Sequence, residues 1–190
     1  MVGRRPPFVQ SVRQRNPGQS VEVWFQDEAR IGQQGTLTRL WAARGSRPAA
    51  IKQTEYEWVY LFASINARTG ESVALVSPTV NTQYMNAHLE HISRQVGPSR
   101  HVVLVLDRAG WHVAKALQVP ANITLFSLPS YSPELNAAER PWGYLRQHYL
   151  NNRVFRDYQE LFAQTMEAWN RLPQDRLRSL CATAWVTRMN

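Results

Sequence analysis

Residues 102–106, Val-Val-Leu-Val-Leu, constrain the fold of this chain more than any other segment. Such an uninterrupted apolar run is typical of a β-strand covered on both faces, as in a sheet with helices on either side. Strand-like segments come before it, and strands alternate with helical segments after it, which indicates a mixed sheet flanked by helices. We therefore predict an α/β fold with a five-stranded mixed central sheet.

Periodicity and turn residues place the other elements. The predicted strands are residues 21–27, 58–65, 72–76 and 123–126, with 58–65 and 72–76 as an antiparallel pair and 36–41 as a short hairpin arm. The predicted helices are residues 82–96, 111–117, 158–171 and 174–187. A further long helix is predicted ahead of residue 158, with Ser132 as its N-cap and Pro133 as its first residue.

The domain organisation follows from the same patterns. Residues 1–20 are predicted to form a basic, flexible arm, because arginines alternate there with prolines and glycine and no periodicity persists. One domain is expected over residues 21–172, followed by a helical tail over residues 173–190. A chain of 190 residues is long enough for one such domain to bury about two-thirds of its unfolded surface.

The charge balance favours an acidic partner. The chain has 22 Lys plus Arg against 14 Asp plus Glu, which gives a net charge of +8, and Lys52 and Lys115 are its only lysines. The planar guanidinium of arginine suits bidentate phosphate contacts, so this composition indicates nucleic-acid binding. A basic protein with no nucleic-acid partner is the alternative.

Other classes of protein are excluded by composition. No apolar run approaches the roughly 20 residues of a membrane span, and the N-terminal residues lack the apolar core of a secretory signal. Cys181 is the sole cysteine, so an internal disulfide and a cysteine-based zinc cluster are excluded. We expect a reducing, cytoplasmic setting.

Two aspartates follow apolar strands. Asp27 ends the strand predicted over residues 21–27, and Asp107 follows residues 102–106 directly. If these strands are parallel neighbours, the carboxylates meet at the edge of the sheet where ligands bind in open α/β folds. Their repulsion would raise at least one pKa, and Mg²⁺ or Mn²⁺ would relieve it. The alternatives are a strand-end turn residue for Asp27 and an Asx-turn or helix cap for Asp107.

A third acid, Glu139, is predicted on the helix that begins at Pro133. It shares the stripe expected to face the sheet, which consists of Leu135, Ala138, Trp142 and Leu145. A carboxylate on such a stripe is costly unless it is paired or binds a metal. By contrast, Glu134 in the first helical turn complements the helix dipole without a catalytic role. Glu28 has the opposite strand parity from Asp27 and is interpreted as a supporting or solvated residue.

Three segments resemble the catalytic blocks of mariner-related bacterial insertion-sequence transposases, which belong to the DDE superfamily and have an RNase H-like core. They are residues 25–30 (FQDEAR), 105–112 (VLDRAGWH) and 128–142 (LPSYSPELNAAERPW), of which the last is the most specific. The resemblance extends over residues 21–171 and implies an RNase H-like fold. It also implies that Asp27, Asp107 and Glu139 are the catalytic, metal-binding triad, with 31 residues between the last two.

The sequence departs from the family pattern in its second and third blocks and at its front. Arg108 replaces the usual asparagine, and Ala137 and Ala138 replace Pro-Ile. Only 26 residues precede Asp27, fewer than the roughly 55–65 of a small self-folding domain. We therefore expect the chain to lack the helix-turn-helix modules that recognise terminal repeats, as a truncated copy or one product of a split or frameshifted gene.

The resemblance implies metal-assisted attack on a DNA phosphodiester, with two Mg²⁺ or Mn²⁺ ions about 4 Å apart. Water as the nucleophile gives strand cleavage, and a 3′-hydroxyl gives strand transfer into target DNA. The implied partners are transposon ends and target DNA at the bacterial nucleoid, together with a second copy of the chain or a separate helix-turn-helix chain.

Further residues are candidates for DNA binding or for support of the site. The predicted phosphate contacts are Arg30, Arg44, Arg47, Arg108, Arg140 and Arg146, with a solvated helix face as the alternative for the last two. The predicted supporting residues are Glu28, His112, Tyr131, Asn136 and Trp142. Of these, His112 either orients a phosphate or a metal-bound water or is hydrogen-bonded locally, and Tyr131 and Asn136 shape the loop that carries Glu139. Trp142 belongs to the core, with a base-stacking platform as the alternative.

Together these observations predict a transposase catalytic domain that cleaves and transfers DNA strands with a divalent metal. One alternative is an inactive or partner-dependent remnant that only binds DNA. Another is a plain basic nucleic-acid-binding module with coincidental acids, whose binding would not change if the three acids were removed.

Overall fold

Five strands and five α-helices form the regular structure of the described residues, which in this computed structural model are 7–33, 42–46, 53, 56–130 and 132–182. The strands are β1 (Ser20–Gly32), β2 (Trp58–Asn66), β3 (Ser72–Ser77), β4 (Arg100–Leu106) and β5 (Ile123–Ser127). The helices are α1 (Pro7–Arg15), α2 (Thr82–Val96), α3 (Glu139–Leu145), α4 (Tyr158–Asn170) and α5 (Gln174–Cys181). Shorter 3₁₀ turns lie at Gly110–His112 and Pro133–Leu135, and a π-helical turn at Arg146–Leu150 follows α3.

The strands form one sheet in the order β3-β2-β1-β4-β5. β1 is antiparallel to β2 and parallel to β4, β2 is antiparallel to β3, and β4 is parallel to β5. The β2–β3 hairpin turns through Gly70, whose φ of 78° is costly for any residue with a Cβ. The predicted mixed five-stranded sheet flanked by helices is therefore confirmed.

Side chains of the central strands alternate between two apolar layers. On one face, Val103 and Val105 of β4 share a layer with buried residues of α1, α3, α4 and α5. On the other face, Val102, Leu104 and Leu106 share a layer with buried residues of α2. The prediction that residues 102–106 are covered on both faces is correct.

Helices α2 and α4 lie where periodicity predicts them. Asn81 and Asp157 cap their first turns by accepting hydrogen bonds from the backbone N–H groups of Tyr84 and Glu160, as short polar residues do at helix N-caps. The predicted hairpin arm at 36–41 and the last part of the predicted C-terminal helix, residues 183–187, lie outside the described residues.

The expectation of an irregular arm over residues 1–20 is wrong for residues 7–15, which form α1. Val9 and Val12, three residues apart and so on one helix face, are both buried in the core, and this burial stabilises a helix with little periodic signal of its own. β1 is also longer than predicted, since it pairs with β2 as far as Gly32, opposite Trp58. Asp27 therefore lies inside a strand rather than at its end.

The helix predicted over residues 111–117 is limited to the 3₁₀ turn at Gly110–His112. The side chains of Trp111 and His112 are hydrogen-bonded to Glu28 of β1. These bonds hold the segment against β1. A single turn therefore forms where the sequence predicts a helix.

The long helix predicted from Pro133 is interrupted after Leu135. Asn136 there uses its side-chain amide for hydrogen bonds to neighbouring main-chain groups, which compete with helix continuation. Ser132 makes no side-chain cap, and the α-helix begins only at Glu139.

Helix α5 contributes Leu177 and Cys181 to the same apolar layer as α1. The domain boundaries at residues 20 and 172 remain predictions. Among the residues that the structure describes, no helix is both long and apolar enough to cross a membrane.

Candidate active site at the carboxyl edge of the parallel strands

The register of the parallel strands brings the two aspartates to one edge of the sheet. Phe25 of β1 lies opposite Val105 of β4, so two residues further on Asp27 and Asp107 occupy equivalent positions on neighbouring strands. Both line a cleft of about 430 Å³. The sequence-based condition for the two carboxylates to meet, that β1 and β4 are parallel neighbours, is therefore fulfilled.

Glu139 reaches the same cleft from the start of α3. The prediction that it lies on the sheet-facing stripe is wrong, because Ala138, Trp142 and Leu145 are buried whereas Glu139 is exposed. Since α3 begins at this residue instead of continuing from Pro133, Glu139 extends from a helix end rather than from a buried helix face.

Burial dominates the electrostatics of Asp27 and raises its pKa from 3.8 to about 7. A 2.6 Å hydrogen bond that Trp142 Nε1 donates to Oδ2 opposes this increase, whereas the charges of Glu139 and Glu28 add to it. Partial burial also raises the pKa of Glu139, and the positive charge of Arg146 and a hydrogen bond with Asp27 limit the rise. Without a cation, burial therefore disfavours the charged form of both carboxyl groups.

Asp107 is held in a different way. Its side chain is 56% exposed, yet Oδ1 accepts hydrogen bonds from the Ala109 backbone N–H at 2.9 Å and from His112 Nδ1 at 2.7 Å. The bond from His112 is the main reason that the pKa of Asp107 lies below its usual value. The bond from Ala109 forms an Asx-turn, which is the alternative role that the sequence allows for this residue. Asp107 thus has both a local structural role and a place in the cleft.

His112 connects Asp107 to Glu28. The His112 side chain is 1% exposed, and Nε2 lies 2.9 Å from Glu28 Oε1. Burial alone would lower the pKa of His112, but the hydrogen bonds and charges of Asp107 and Glu28 outweigh burial and raise it to about 9. Both ring nitrogens then donate to carboxylates at neutral pH. Both ring nitrogens of His112 are therefore engaged in local hydrogen bonds and neither is available to contact a phosphate.

Glu28 has two further hydrogen-bond donors that are not predicted from the sequence. Gln26 Nε2 and Trp111 Nε1 reach Glu28 Oε1 at 2.9 and 3.0 Å. Gln26 and Glu28 lie on one face of β1, and Gln26 is fully buried. This face of β1 carries Glu22, Gln26, Glu28 and Arg30, and such a run of polar residues on one face of a strand inside the sheet is the signal from which a polar network can be predicted.

Asn136 shapes the turn that precedes Glu139. Its Nδ2 donates to the Gln26 carbonyl at 2.9 Å, and its Oδ1 accepts from the Ala138 backbone N–H at 3.1 Å. These bonds tie the turn to β1 next to Asp27. Tyr131, the other residue predicted to shape this loop, lies outside the described residues.

Trp142 is a core residue that also contacts the site. It is 3% exposed, and its ring centroid lies 5.6 Å from that of Trp169. Burial excludes base stacking on this ring, whereas its N–H group still reaches the Asp27 carboxylate.

The structure places two of the predicted phosphate contacts beside the acids. Arg108 lines the cleft and is exposed. Arg146, in the π-helical turn, is also exposed and lies near enough to Glu139 for its charge to act on that carboxyl group. Both positions would allow contact with a phosphate that enters the cleft.

Three of the other predicted phosphate contacts, Arg30, Arg44 and Arg140, are not among the residues that line the cleft. Arg30 is exposed, and its guanidinium lies 5.0 Å from the centre of the Trp58 ring. Arg44 and Arg140 are exposed as well. Arg47 lies outside the described residues.

The donor chemistry of the cleft fits a divalent cation. Three carboxylates supply hard oxygen ligands of the kind that Mg²⁺ and Mn²⁺ prefer. The pKa values of Asp27 and Glu139 are raised mainly by burial and to a smaller extent by the charges of neighbouring acids. Across the described residues, no three His, Cys, Asp or Glu side chains form a ready-made metal cluster. The three acids therefore share a cleft without forming a closed ligand set.

Comparison with known proteins gives the family to which this fold and cleft belong. Residues 22–162 match the family model described as DDE superfamily endonuclease. Because this match covers most of the chain, the protein belongs to that family, and the resemblance of its sequence to the DDE superfamily is confirmed.

One relative and several solved structures are similar to this chain. The uncharacterised protein y4pE/y4sA of Sinorhizobium fredii (strain NBRC 101917 / NGR234) is 41% identical over 133 residues, which cover 69% of this chain and 98% of that protein. The pre-cleavage Mos1 transpososome matches with a TM-score of 0.65 and 16% identity over 96% of this chain and 57% of the Mos1 chain. The Mos1 mariner paired end complex with Mn matches with a TM-score of 0.63 and 16% identity, over 95% and 58%.

At this level of identity, the likeness to Mos1 concerns the fold. It confirms the predicted RNase H-like α/β architecture. The chain spans 54% to 58% of the length of the Mos1 chains in the strand transfer, pre-cleavage and Mn-containing complexes.

Proposed function

We propose that this chain is a transposase catalytic domain that performs divalent-metal-dependent DNA strand cleavage and strand transfer. The observation that supports this function best is the arrival of Asp27, Asp107 and Glu139 at one cleft from three separate segments. A protein that only binds DNA has no use for acids placed together beside a phosphate-binding surface, because they repel the phosphates.

In this proposal the three acids bind Mg²⁺ or Mn²⁺, as two ions. When bound, the metal activates the attacking hydroxyl group and stabilises the leaving oxygen of the phosphodiester. Arg108, exposed in the cleft, contacts the phosphate next to the cleaved bond, and its bidentate guanidinium takes the place of the family's asparagine amide.

The remaining predicted arginines would hold the flanking DNA. Arg30, Arg44, Arg140 and Arg146 are exposed, and the net charge of +8 supports binding to a polyanion. The proposed substrates are transposon ends and target DNA, at the nucleoid in the cytoplasm. A second copy of this chain, or a helix-turn-helix partner, would pair the ends and select their sequence.

Nicking of supercoiled plasmid tests the proposal directly. The purified chain is incubated with Mn²⁺, with Mg²⁺ or with EDTA, and the open-circular product is measured for wild type, Asp107→Ala and Glu134→Ala. Glu134 is a matched control, because it is an exposed acid in the turn beside the cleft. We expect metal-dependent nicking in wild type and in Glu134→Ala, and none in Asp107→Ala.

Two results would contradict the proposal. Equal nicking by wild type and Asp107→Ala would show that another site, or a contaminant, cleaves the DNA. Equal DNA binding by all three proteins without nicking would instead support the DNA-binding remnant or the plain binding module.

A further inference from the structure

The buried side chain of His112 bridges two acids. Asp107 is exposed in the cleft, and Glu28 is largely buried on the face of β1 opposite to that of Asp27. His112 donates through Nδ1 to Asp107 at 2.7 Å and through Nε2 to Glu28 at 2.9 Å. Its side chain is 1% exposed, whereas that of Asp107 is 56% exposed. The histidine therefore fixes one end of a carboxylate whose other side is open to solvent.

Glu28 is well placed to orient this histidine. Its side chain is 9% exposed, and Oε1 accepts hydrogen bonds from Gln26 Nε2 and Trp111 Nε1 as well as from His112. One of these donors lies on β1 and two on the 3₁₀ turn after β4. The network thereby ties the two strands that carry Asp27 and Asp107 to each other.

Both hydrogen bonds that hold Asp107 reach the same oxygen. The Ala109 N–H group and His112 Nδ1 each donate to Oδ1. The ring of His112 has no further nitrogen with which to bind a metal or a phosphate. Its contribution to the cleft must therefore pass through Asp107.

We propose that His112 is a positioning residue, itself oriented by Glu28, that holds Asp107 by Oδ1 so that Oδ2 is presented to the cation in the cleft. This inference rests on the proposed function. Groups that orient metal ligands in this way typically change metal affinity by about 10–100-fold when they are removed.

The test measures the Mn²⁺ dissociation constant of the full chain by EPR at one pH and without DNA. His112→Leu removes both hydrogen bonds at similar volume, and His112→Asn keeps a donor near the position of Nδ1. His101→Leu is a matched control, because His101 is also buried and hydrogen-bonded, to Thr124, but lies at the opposite end of β4. The melting temperature and the DNA affinity in EDTA are measured for each variant.

We expect His112→Leu to weaken Mn²⁺ binding by about 10–100-fold, with His112→Asn recovering most of the loss. His101→Leu should leave the Mn²⁺ affinity unchanged. DNA affinity in EDTA should be equal in all four proteins. Glu28→Leu should weaken Mn²⁺ binding less in the His112→Leu background than in the wild-type background, since the orienting effect of Glu28 acts through His112 whereas its charge also acts on Asp27 in both backgrounds.

Two outcomes separate this inference from the proposed function. A folded His112→Leu that binds Mn²⁺ as tightly as wild type, or a His101→Leu with the same loss, overturns the positioning role while metal-dependent nicking by wild type stands. A wild-type chain that neither binds Mn²⁺ nor nicks DNA overturns the proposed function, and the positioning role with it.

Discussion

Each aspartate of the cleft has one carboxylate oxygen held by a ring N–H group. Trp142 donates to Asp27 Oδ2, and His112 donates to Asp107 Oδ1. The two acids nevertheless differ in electrostatics. Burial raises the pKa of Asp27 to about 7, whereas the hydrogen bond between His112 and Asp107 lowers the pKa of Asp107. Of these two aspartates, Asp27 is therefore the one whose charged form is disfavoured in the folded protein when no metal is bound.

This difference predicts a pH-dependent gain in stability for Asp27→Asn. The pKa of Asp27 rises from 3.8 to about 7 on folding, so its charged form destabilises the folded state. The penalty is absent below pH 3.8, grows as the pH rises, and is complete above about pH 7. We expect Asn to raise the free energy of unfolding by about 1–3 kcal/mol at pH 8 and by almost nothing at pH 4.

Thermal or urea unfolding in EDTA across this pH range provides the measurement. His112, whose pKa is about 9 in the folded protein, contributes stability that is lost as the pH rises through 9. That loss is common to both proteins, so the comparison is made between variant and wild type at each pH. A difference of equal size at pH 4 and pH 8 would rule out the buried, raised-pKa interpretation of Asp27.

At the scale of elements, the turn between Pro133 and α3 determines where Glu139 is placed. Asn136 joins this turn to the main chain of β1 through Gln26, and it is 5% exposed. The turn therefore depends on this side chain in addition to its own backbone hydrogen bonds, such as that from the Asn136 N–H group to the Pro133 carbonyl. Changes at this position should affect both stability and the cleft.

Asn136→Ala should destabilise the protein by about 1–3 kcal/mol, because it leaves the buried Gln26 carbonyl without its donor. It should also slow nicking, since the turn that carries Glu139 is released. Ser132→Ala is the matched control. Its hydroxyl bonds only the nearby Ser130 carbonyl at 3.4 Å and caps no helix, so a change below about 0.5 kcal/mol is expected.

Urea denaturation measures both variants. A larger loss for Ser132→Ala than for Asn136→Ala would restore the interpretation of Ser132 as a helix cap. The hydrogen bonds of Asn136 would then no longer explain why the helix is interrupted after Leu135.

The elements that could be predicted from the sequence are those whose cause is local. Periods of two and 3.6 residues predict the sheet, α2 and α4, and the strand-end positions of Asp27 and Asp107 predict that the two meet if their strands are parallel neighbours. The turns at Gly110–His112 and Pro133–Leu135 could not be predicted in this way, because bonds to β1 replace helical ones there. The same holds for the bond between Trp142 and Asp27, whose partners are 115 positions apart.

The whole molecule combines a carboxylate cleft with a positive net charge. The three acids come from β1, from the end of β4 and from the start of α3, so the cleft exists only when the sheet is complete. Exposed arginines lie on several of these elements and on their connections. DNA affinity should therefore be a property of the folded surface and should be dominated by phosphate contacts.

The salt dependence of DNA binding tests this expectation. If the six predicted arginines each contact a phosphate, affinity should fall about 10³-fold between 50 and 200 mM salt. Arg140→Ala should reduce the slope of log affinity against log salt by about 1. Arg94→Ala is a matched control, because Arg94 is exposed on α2 and ion-paired with Glu90. A flat salt response in fluorescence anisotropy would count against DNA as the partner.

Successive residues of β1 face opposite sides of the sheet, so substitutions and changes of length in this strand have different effects. Asp27 faces the cleft, whereas Glu28 faces the histidine network. A one-residue insertion or deletion within the first half of β1 would reverse the face to which every later side chain of the strand points, so Asp27 would face away from the cleft and Glu28 away from the histidine network. Many single-nucleotide substitutions in this stretch leave both acids in place. Loss or gain of one codon would instead disrupt the cleft and the histidine network together, so β1 should tolerate substitutions far better than insertions or deletions.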